Sequence, residues 1–259
     1  MSTPKAAPIS LSYVLPAYNE AEILDDTIGI FLRDLAAMPE VVSPFEVIVV
    51  DDGSTDGSAA IAADWAERDP RVKLVRHRRN AGVGAAIATG LAHATKDWFA
   101  VNCADRPFDT RDIVRLRPLF ETADLVVVSR TDRSANSPYR KLTSWVNYLL
   151  IRLLFRIPVG DCQFVQFYRT AWLKDARIIS RSTLVPPELI LRMVRQGARI
   201  AQAQLPFHAR PGGVAKYGHP KHALRALAEM ARLRLHLWRV GLGGAGAGHP
   251  MREKTEGPR

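Results

Sequence analysis

An α/β fold, with a doubly wound and mainly parallel sheet carrying helices on both faces, is predicted by three features of the chain. Phe45 to Val50 (FEVIVV) is an unbroken, largely β-branched run of the kind a parallel sheet buries on both faces. Strand-like and helical patterns alternate with short connections through the first half. Polar residues stand just past successive strand ends: Tyr18, Asn19 and Glu20, then Asp51 and Asp52, then Asn80, then Asp105. A doubly wound sheet offers its ligand crevice at that edge.

The elements follow in order. Leu11 to Leu15 is a short apolar run stopped at Pro16 and reads as a buried strand. Glu20 to Ala37 places Ile23, Leu24, Ile28, Phe31, Leu32 and Leu35 at helical spacing. After the second strand, Asp51 to Gly57 is a turn cluster. Ser58 to Arg68 is helical, Val72 to Arg76 strand, Gly84 to Thr95 helix, Trp98 to Asn102 strand and Leu125 to Ser129 strand. The second half is richer in arginine and in amphipathic helix, with a return to strand at Ala198 to Phe207. Past Trp238 the composition changes to GLGGAGAGHP and a charged tail, which predicts disorder. The chain shows no internal repeat.

Its 259 residues, 47% hydrophobic and 24% charged, suit one large domain with a sizeable core. Thirty-six Lys and Arg against 26 Asp and Glu leave +10, which attracts anionic partners such as a membrane surface or phosphorylated substrates. Without a basic motif interleaved with aromatics, nucleic acid is not the expected partner. Cys103 and Cys162 have no CxxC spacing, so a disulfide framework is not expected and a reducing compartment is the default. Met1 to Ser10 has no apolar run and does not read as a secretory signal. Trp145 to Val159, the greasiest stretch, is broken by Arg152 and Arg156, and no membrane span is expected.

Some features read blandly. Gly82 to Gly90 looks like a dinucleotide fingerprint but follows the third strand with the wrong spacing. His219 and His222 suit a solvated turn better than a zinc site. Cys162 reads as a small buried residue.

LPAYNE (Leu15 to Glu20) followed by VIVVDDGSTDGS (Val47 to Ser58) resembles the family 2 glycosyltransferases of the GT-A fold. The resemblance continues through NAGVGAA (Asn80 to Ala86), Ser129-Arg130, DCQFVQFYR (Asp161 to Arg169), PPEL (Pro186 to Leu189) and the Arg210 to Lys216 segment. The later motifs look most like the dolichyl- and polyprenyl-phosphate sugar synthases. The expected organisation is a flexible terminus at 1–9, a GT-A domain at 10–218, an amphipathic helix at 219–240 and a disordered tail at 241–259.

The resemblance implies roles. Pro16, Tyr18, Glu20, Asn80 and Ala104 line the donor pocket, Asp51 or Asp52 meets the base, and Gly82 and Gly84 lie against ribose and diphosphate. Lys216 sits near the donor phosphates, Asp161 faces the reaction centre, and Arg130, Arg140 and Ser144 grip the acceptor's phosphate. The family's metal motif is Asp-Ala-Asp, and here it reads Cys103-Ala104-Asp105-Arg106. A thiol is a poor ligand for Mg2+ or Mn2+. Three readings stand: Asp105 holds the ion together with donor oxygens, Arg106 replaces the metal as the catalytic cation, or the site is dead.

A lipid monophosphate is already anionic at neutral pH, its second pKa being about 6, so it needs a cationic cradle more than a base. Arg130, Arg140 and Lys141 suit that task. The segment Trp145 to Phe155 reads as an interfacial helix, with a buried core helix as the alternative, and His222 to Val240 repeats the interfacial pattern. The expected protein is a cytoplasmic glycosyltransferase, peripheral at the inner membrane face, with a membrane-protein partner or self-association as further options. Its expected substrates are a nucleotide-sugar donor and a polyprenyl-phosphate lipid, with inversion at the sugar. The alternatives are a hydroxyl acceptor with Asp161 as base, or a degenerate accessory subunit.

Overall fold

The computed structural model describes residues 7–131, 149–151, 153–155, 157, 159, 162, 164–174, 176, 178–182, 184–206 and 220–239. The first half alternates as the pattern predicts. β1 (Ile9–Ala17) leads to α1 (Ala21–Ala36), β2 (Val42–Asp51) to α2 (Ser58–Arg68), and β3 (Val72–Arg76) to α3 (Val83–His93). β4 (Trp98–Val101), α4 (Ile113–Thr122) and β5 (Leu125–Arg130) follow. Beyond them come β6 (Val165–Arg169), α5 (Val185–Arg195), β7 (Ile200–Leu205) and α6 (Pro220–Arg239). Helical backbone also occurs at 149–151 and 153–155.

These strands form one sheet of seven, ordered β3-β2-β1-β4-β6-β5-β7. β1 pairs in parallel with β2 and β4, β2 with β3, and β5 with β7. β6 runs antiparallel to both neighbours, β4 and β5. Six strands therefore end at one edge of the sheet, and β6 begins there.

β6 and helices α4 and α5 are absent from the sequence expectation. VQFYR is apolar toward both faces: Val165 and Phe167 enter one core cluster and Tyr168 the other. Edge-to-face contacts of Phe167 with Phe120 (5.4 Å) and Phe108 (6.0 Å), and of Trp98 with Phe120 (4.8 Å), seat the reversed strand. Buried aromatic pairs of this kind add about 0.5–1.5 kcal/mol each beyond area burial.

The sheet separates two apolar clusters. Leu24, Ile28, Phe31 and Leu35 of α1, with Ile113, Leu116 and Phe120 of α4, cover one face. The other carries Ala86, Ile87 and Leu91 of α3, Leu189, Ile190 and Met193 of α5, and Met230, Leu233 and Leu237 of α6. The predicted C-terminal amphipathic helix thus lends one face to the main core. Ile151 and Phe155 join it there.

One charged group is held inside the sheet. Glu46, 3% exposed, accepts from the Ser12 hydroxyl (2.6 Å), the Thr95 N–H (2.8 Å) and the Thr95 hydroxyl (3.0 Å), and pairs with Lys73 (2.6 Å). Burial alone raises its pKa, but Lys73, Ser12 and Thr95 together hold it below the ordinary glutamate value. A folded-state pKa below the unfolded one stabilises the fold above the unfolded value of about 4.3, and that stability fades as pH falls through the lowered value. Glu46→Ala is expected to cost about 2–4 kcal/mol by leaving buried donors unpaired. In chemical denaturation at pH 7 and pH 3.5, the difference between variant and wild type should shrink at the lower pH.

Candidate active site

The residues singled out at strand ends gather at the carboxyl edge of the sheet. Pro16 lies in β1 opposite Val50, and Tyr18 just beyond the strand is 37% exposed. Asn19 takes a left-handed backbone (φ 52°) and reaches across to the loop after β2, its Oδ1 accepting from the Thr55 N–H at 2.9 Å. In return its own N–H donates to the Ser54 hydroxyl (3.0 Å), and the Glu20 N–H donates to the Ser58 hydroxyl (3.0 Å). Asp56 accepts from the Ala21 N–H (3.1 Å) at the start of α1 and from the Ser58 N–H (2.9 Å). Burial raises its pKa, yet these donors and the Ser58 hydroxyl outweigh that and lower it. The serine and aspartate residues of DGSTDGS therefore stitch two strand-end loops together.

Asp51 and Asp52 are nearly buried, 1% and 3% exposed, and do different work. Asp51 accepts from the Ser54 N–H (3.1 Å) and is paired with Arg76 of β3 (3.0 Å). Asp52 turns toward the next loop. Its Oδ1 meets His77 Nδ1 (2.7 Å) and the Ala81 N–H (2.9 Å), and its Oδ2 accepts from the Gly82 N–H (2.8 Å). His77 Nε2 in turn meets the Thr89 hydroxyl of α3 at 2.9 Å. Asp51 thus holds its own turn and β3, while Asp52 shapes the Asn80 to Gly84 loop.

That loop also meets the protein's own backbone. Gly82 has φ 93°, and a Cβ there would lie 2.9 Å from the Arg181 carbonyl oxygen. A Cβ on Gly84 would lie 2.6 Å from the Arg181 Cα, and the Gly84 N–H donates to the Arg181 carbonyl (3.1 Å). The glycine at 84 is required by this close approach, whatever ligand lies beyond it.

After β4, Asn102 is 1% exposed and anchors the metal-motif turn. Its amide donates to the Tyr13 hydroxyl and to the Phe108 carbonyl, both at 2.9 Å, and the Ala104 carbonyl accepts from Thr27 of α1 at 2.9 Å. Burial pushes the Tyr13 hydroxyl well above its ordinary pKa, so it stays a neutral partner. Ala104 is buried, whereas Cys103 is exposed and Asp105 and Arg106 are half-buried. The Arg106 N–H closes the turn on the Cys103 carbonyl (2.9 Å), with Arg106 at φ 46°, a left-handed conformation unusual for arginine.

Arg130 closes β5 at the same edge, its guanidinium 5.8 Å from the Phe164 ring centre. Phe164 packs edge-on to Phe108 at 6.2 Å, which ties Arg130 to the loop that begins at Cys103. Asp161, Arg140, Ser144 and Lys216 lie outside the described residues. Neither Cys103 nor Cys162 forms a disulfide; Cys103 is exposed, and Cys162 is buried in the cluster beneath α3 and α5.

Among the described residues, no three His, Cys, Asp or Glu side chains come together as a metal-holding group. In the Cys103–Arg106 turn Asp105 offers the one carboxylate, so a hard divalent ion placed there would need further oxygens from a bound ligand to complete its shell.

Four residues that shape this edge carry no role in the sequence expectation: His77, Arg181, Glu188 and Glu229. Glu188 lies in the PPEL motif and is fully buried, bonded to Arg192 (2.8 Å) and to the N–H groups of Ile179 and Ser180. Apart from the Glu188–Arg192 pair on one helix, only packing reveals these links, because the partners are 8 to 97 residues apart.

The model of "Glycosyl transferase family 2" matches residues 12–176. The chain is 30% identical over 215 residues to a dodecaprenyl-phosphate galacturonate synthase of Rhizobium johnstonii, covering 81% of this chain but only 62% of that protein's length. It is 32% identical to an undecaprenyl-phosphate mannosyltransferase of Micrococcus luteus, covering 78% of this chain and 85% of the relative. Its fold is similar to glucosyl-3-phosphoglycerate synthase of Mycobacterium tuberculosis, solved with Mn2+ and UDP, at a TM-score of 0.60 and 21% identity over 93% of this chain and 83% of that one. The sheet is therefore the GT-A architecture expected from the sequence, and the chain belongs to glycosyl transferase family 2.

Proposed function

We propose that this protein moves a sugar from a nucleotide-sugar donor to a polyprenyl-phosphate lipid, with inversion at the anomeric carbon. The observation that carries the acceptor class is the position of Arg130. It closes β5 beside the Phe164–Phe108 pair, on the edge that also holds the Cys103–Arg106 turn. A guanidinium there suits a phosphate acceptor. The Rhizobium johnstonii and Micrococcus luteus relatives, both polyprenyl-phosphate enzymes by name, support the same class.

In this reading Tyr18 and Asp51 receive the base, with Pro16 and Glu20 at the pocket wall. The Asn80–Gly84 loop lies along the ribose and diphosphate. Asp105 would hold Mg2+ or Mn2+ together with diphosphate oxygens, and the ion's chemistry there is to neutralise charge on the leaving group. Arg106, fixed beside it by the tight turn, adds a second positive charge for the diphosphate. An acceptor phosphate oxygen forms the new bond to the anomeric carbon as the bond to the donor diphosphate breaks. That oxygen is already charged, so no proton has to be removed. Arg130 orients it, with Arg140 and Ser144 as its partners, while Asp161 faces the sugar and Lys216 the donor phosphates.

Membrane contact falls to α6. Met230, Leu233 and Leu237 are buried, whereas Leu227 (45%), Leu235 (47%) and Trp238 (70%) are exposed on a neighbouring stripe. Arg232, Arg234 and Arg239 are exposed on the same helix. No described helix is long and apolar enough to cross a membrane. A helix with one face docked, a second apolar stripe and flanking arginines suits the headgroup region of an anionic bilayer, and we place the protein peripherally at its cytoplasmic face.

Purified protein given membranes with undecaprenyl or dolichyl phosphate and a panel of nucleotide sugars should form a lipid-linked sugar, and EDTA should abolish the product. Product that persists in EDTA would assign the charge-stabilising role to Arg106, and no product from any donor would overturn the reading. Arg130→Ala should lower kcat/KM for the lipid by about 10–100-fold, roughly 1.4–2.8 kcal/mol, with donor KM little changed. In flotation with phosphatidylglycerol vesicles, a Leu235→Ser/Trp238→Ser double variant should stay at the bottom of the gradient while wild type floats.

A further inference from the structure

The segment from Ile179 to Ser182 presents four successive backbone N–H groups, and two glutamates from different helices take all four. Glu188 of α5 accepts from Ile179 (3.1 Å) and Ser180 (2.8 Å). Glu229 of α6 accepts from Arg181 and from Ser182 (3.2 Å). The carbonyl of the same Arg181 accepts from the Gly84 N–H at 3.1 Å, and its backbone fills the space that a side chain at 84 would need. A continuous line of contacts thus runs from the Glu229 carboxylate of α6, through the Arg181 backbone, into the Gly82–Gly84 start of α3. On the far side of that loop stands the Asp52 carboxylate, bonded to the Ala81 and Gly82 N–H groups.

The two glutamates hold this strut differently. Glu188 is fully buried and charge-balanced by Arg192, so it belongs to the core. Glu229 is half-buried on α6, the helix whose other stripe carries the exposed Leu235 and Trp238. It stands next to Met230, which seats α6 on the core. Charge-assisted bonds from N–H groups to a carboxylate are stronger than neutral ones. They also fix which way the Arg181 carbonyl points.

We propose that Glu229 is a positioning residue for the donor-binding loop, acting through the Arg181 backbone, so that the seating of α6 sets the order of the Asn80–Gly84 segment. This rests on the reading of that segment as the donor's phosphate loop and of α6 as the membrane-facing helix. Its consequence is that occupation of α6 by an anionic bilayer, which holds the helix in place, raises affinity for a nucleoside diphosphate.

The test compares wild type, Glu229→Ala and Glu229→Gln as full chains by amide hydrogen exchange and by binding of UDP and GDP, with and without phosphatidylglycerol vesicles. Glu229→Ala should speed exchange selectively in residues 80–86 and 179–182, while β1, β2 and β4 keep their protection. Its affinity for the nucleoside diphosphate that wild type binds should fall about fivefold to tenfold, at the low end of site-to-site coupling. Glu229→Gln, which keeps an acceptor oxygen, should restore most of both effects. Vesicles should slow exchange at 80–86 and tighten nucleotide binding in wild type but not in Glu229→Ala, although both variants float equally. Unchanged exchange at 80–86 in Glu229→Ala, or an equal rise across the whole sheet, would overturn the proposal. Failure of wild type to bind either nucleotide would sink the donor reading instead, and the exchange data alone would still decide the role of Glu229.

Discussion

The carboxylate of Asp52 is the fixed point on which the edge of the sheet is built. It is 3% exposed, stands one residue past β2, and accepts from His77 and from two successive N–H groups of the loop that opens α3. A buried carboxylate is tolerated only when its oxygens are matched by donors, so each of those donors is obligatory. Three of them come from the chain after β3, which obliges that chain to pass close over the end of β2. Gly53, at φ 73°, makes the pass possible, because a Cβ there would sit 2.7 Å from the Arg79 Cα and the Asn80 N. The neighbouring carboxylate of Asp51 faces the other way, toward Ser54 and Arg76.

From that point rigidity spreads in two directions. Toward α1, the DGSTDGS loop gives side-chain oxygens to the N–H groups of Asn19, Glu20 and Ala21, so the turn that displays Tyr18 is held by its neighbour. Toward the second half, Gly82 and Gly84 rest on Arg181, and Arg181 rests on Glu229. The metal-motif turn is anchored independently, through Asn102 to Tyr13 and Phe108. The groups proposed to meet substrate are therefore held by bonds made within the protein, which is the preorganisation that charge stabilisation at a leaving group requires.

How much of this was legible depended on whether the signal is local. Strands β1 to β5 and helices α1 to α3 announce themselves through runs of one period bounded by turn residues, and each lies within a few residues of its expected place. β6 does not, because five residues flanked by motif-like polar positions carry too little periodicity, and its reversed direction is decided by Phe108, Phe120 and Phe167 packing together. α4 holds Pro118 within its span, a residue that argues against helix in any local reading. The site shows the same division. Asp51, Asp52, Gly82 and Asp105 stand out because strand ends before turns are where parallel sheets bind ligands. The assignment of Asp52 to the loop, of Gly84 to Arg181 and of Glu229 to α6's anchorage depends on contacts across 25 to 97 residues and on the late helices folding back, none of which has a sequence period.

We propose this edge as the donor site, with the base against Tyr18 and Asp51 and the diphosphate over Asp105 and Arg106. A crystal structure with a bound nucleotide sugar and Mn2+ is the decisive experiment. Base contacts to Asp51, metal density beside Asp105 and the diphosphate, and the Arg181 carbonyl still bonded to Gly84 are the expected result. A nucleotide bound elsewhere on the sheet, or bound here with Asp52 released from His77 and the Ala81–Gly82 loop, would contradict it.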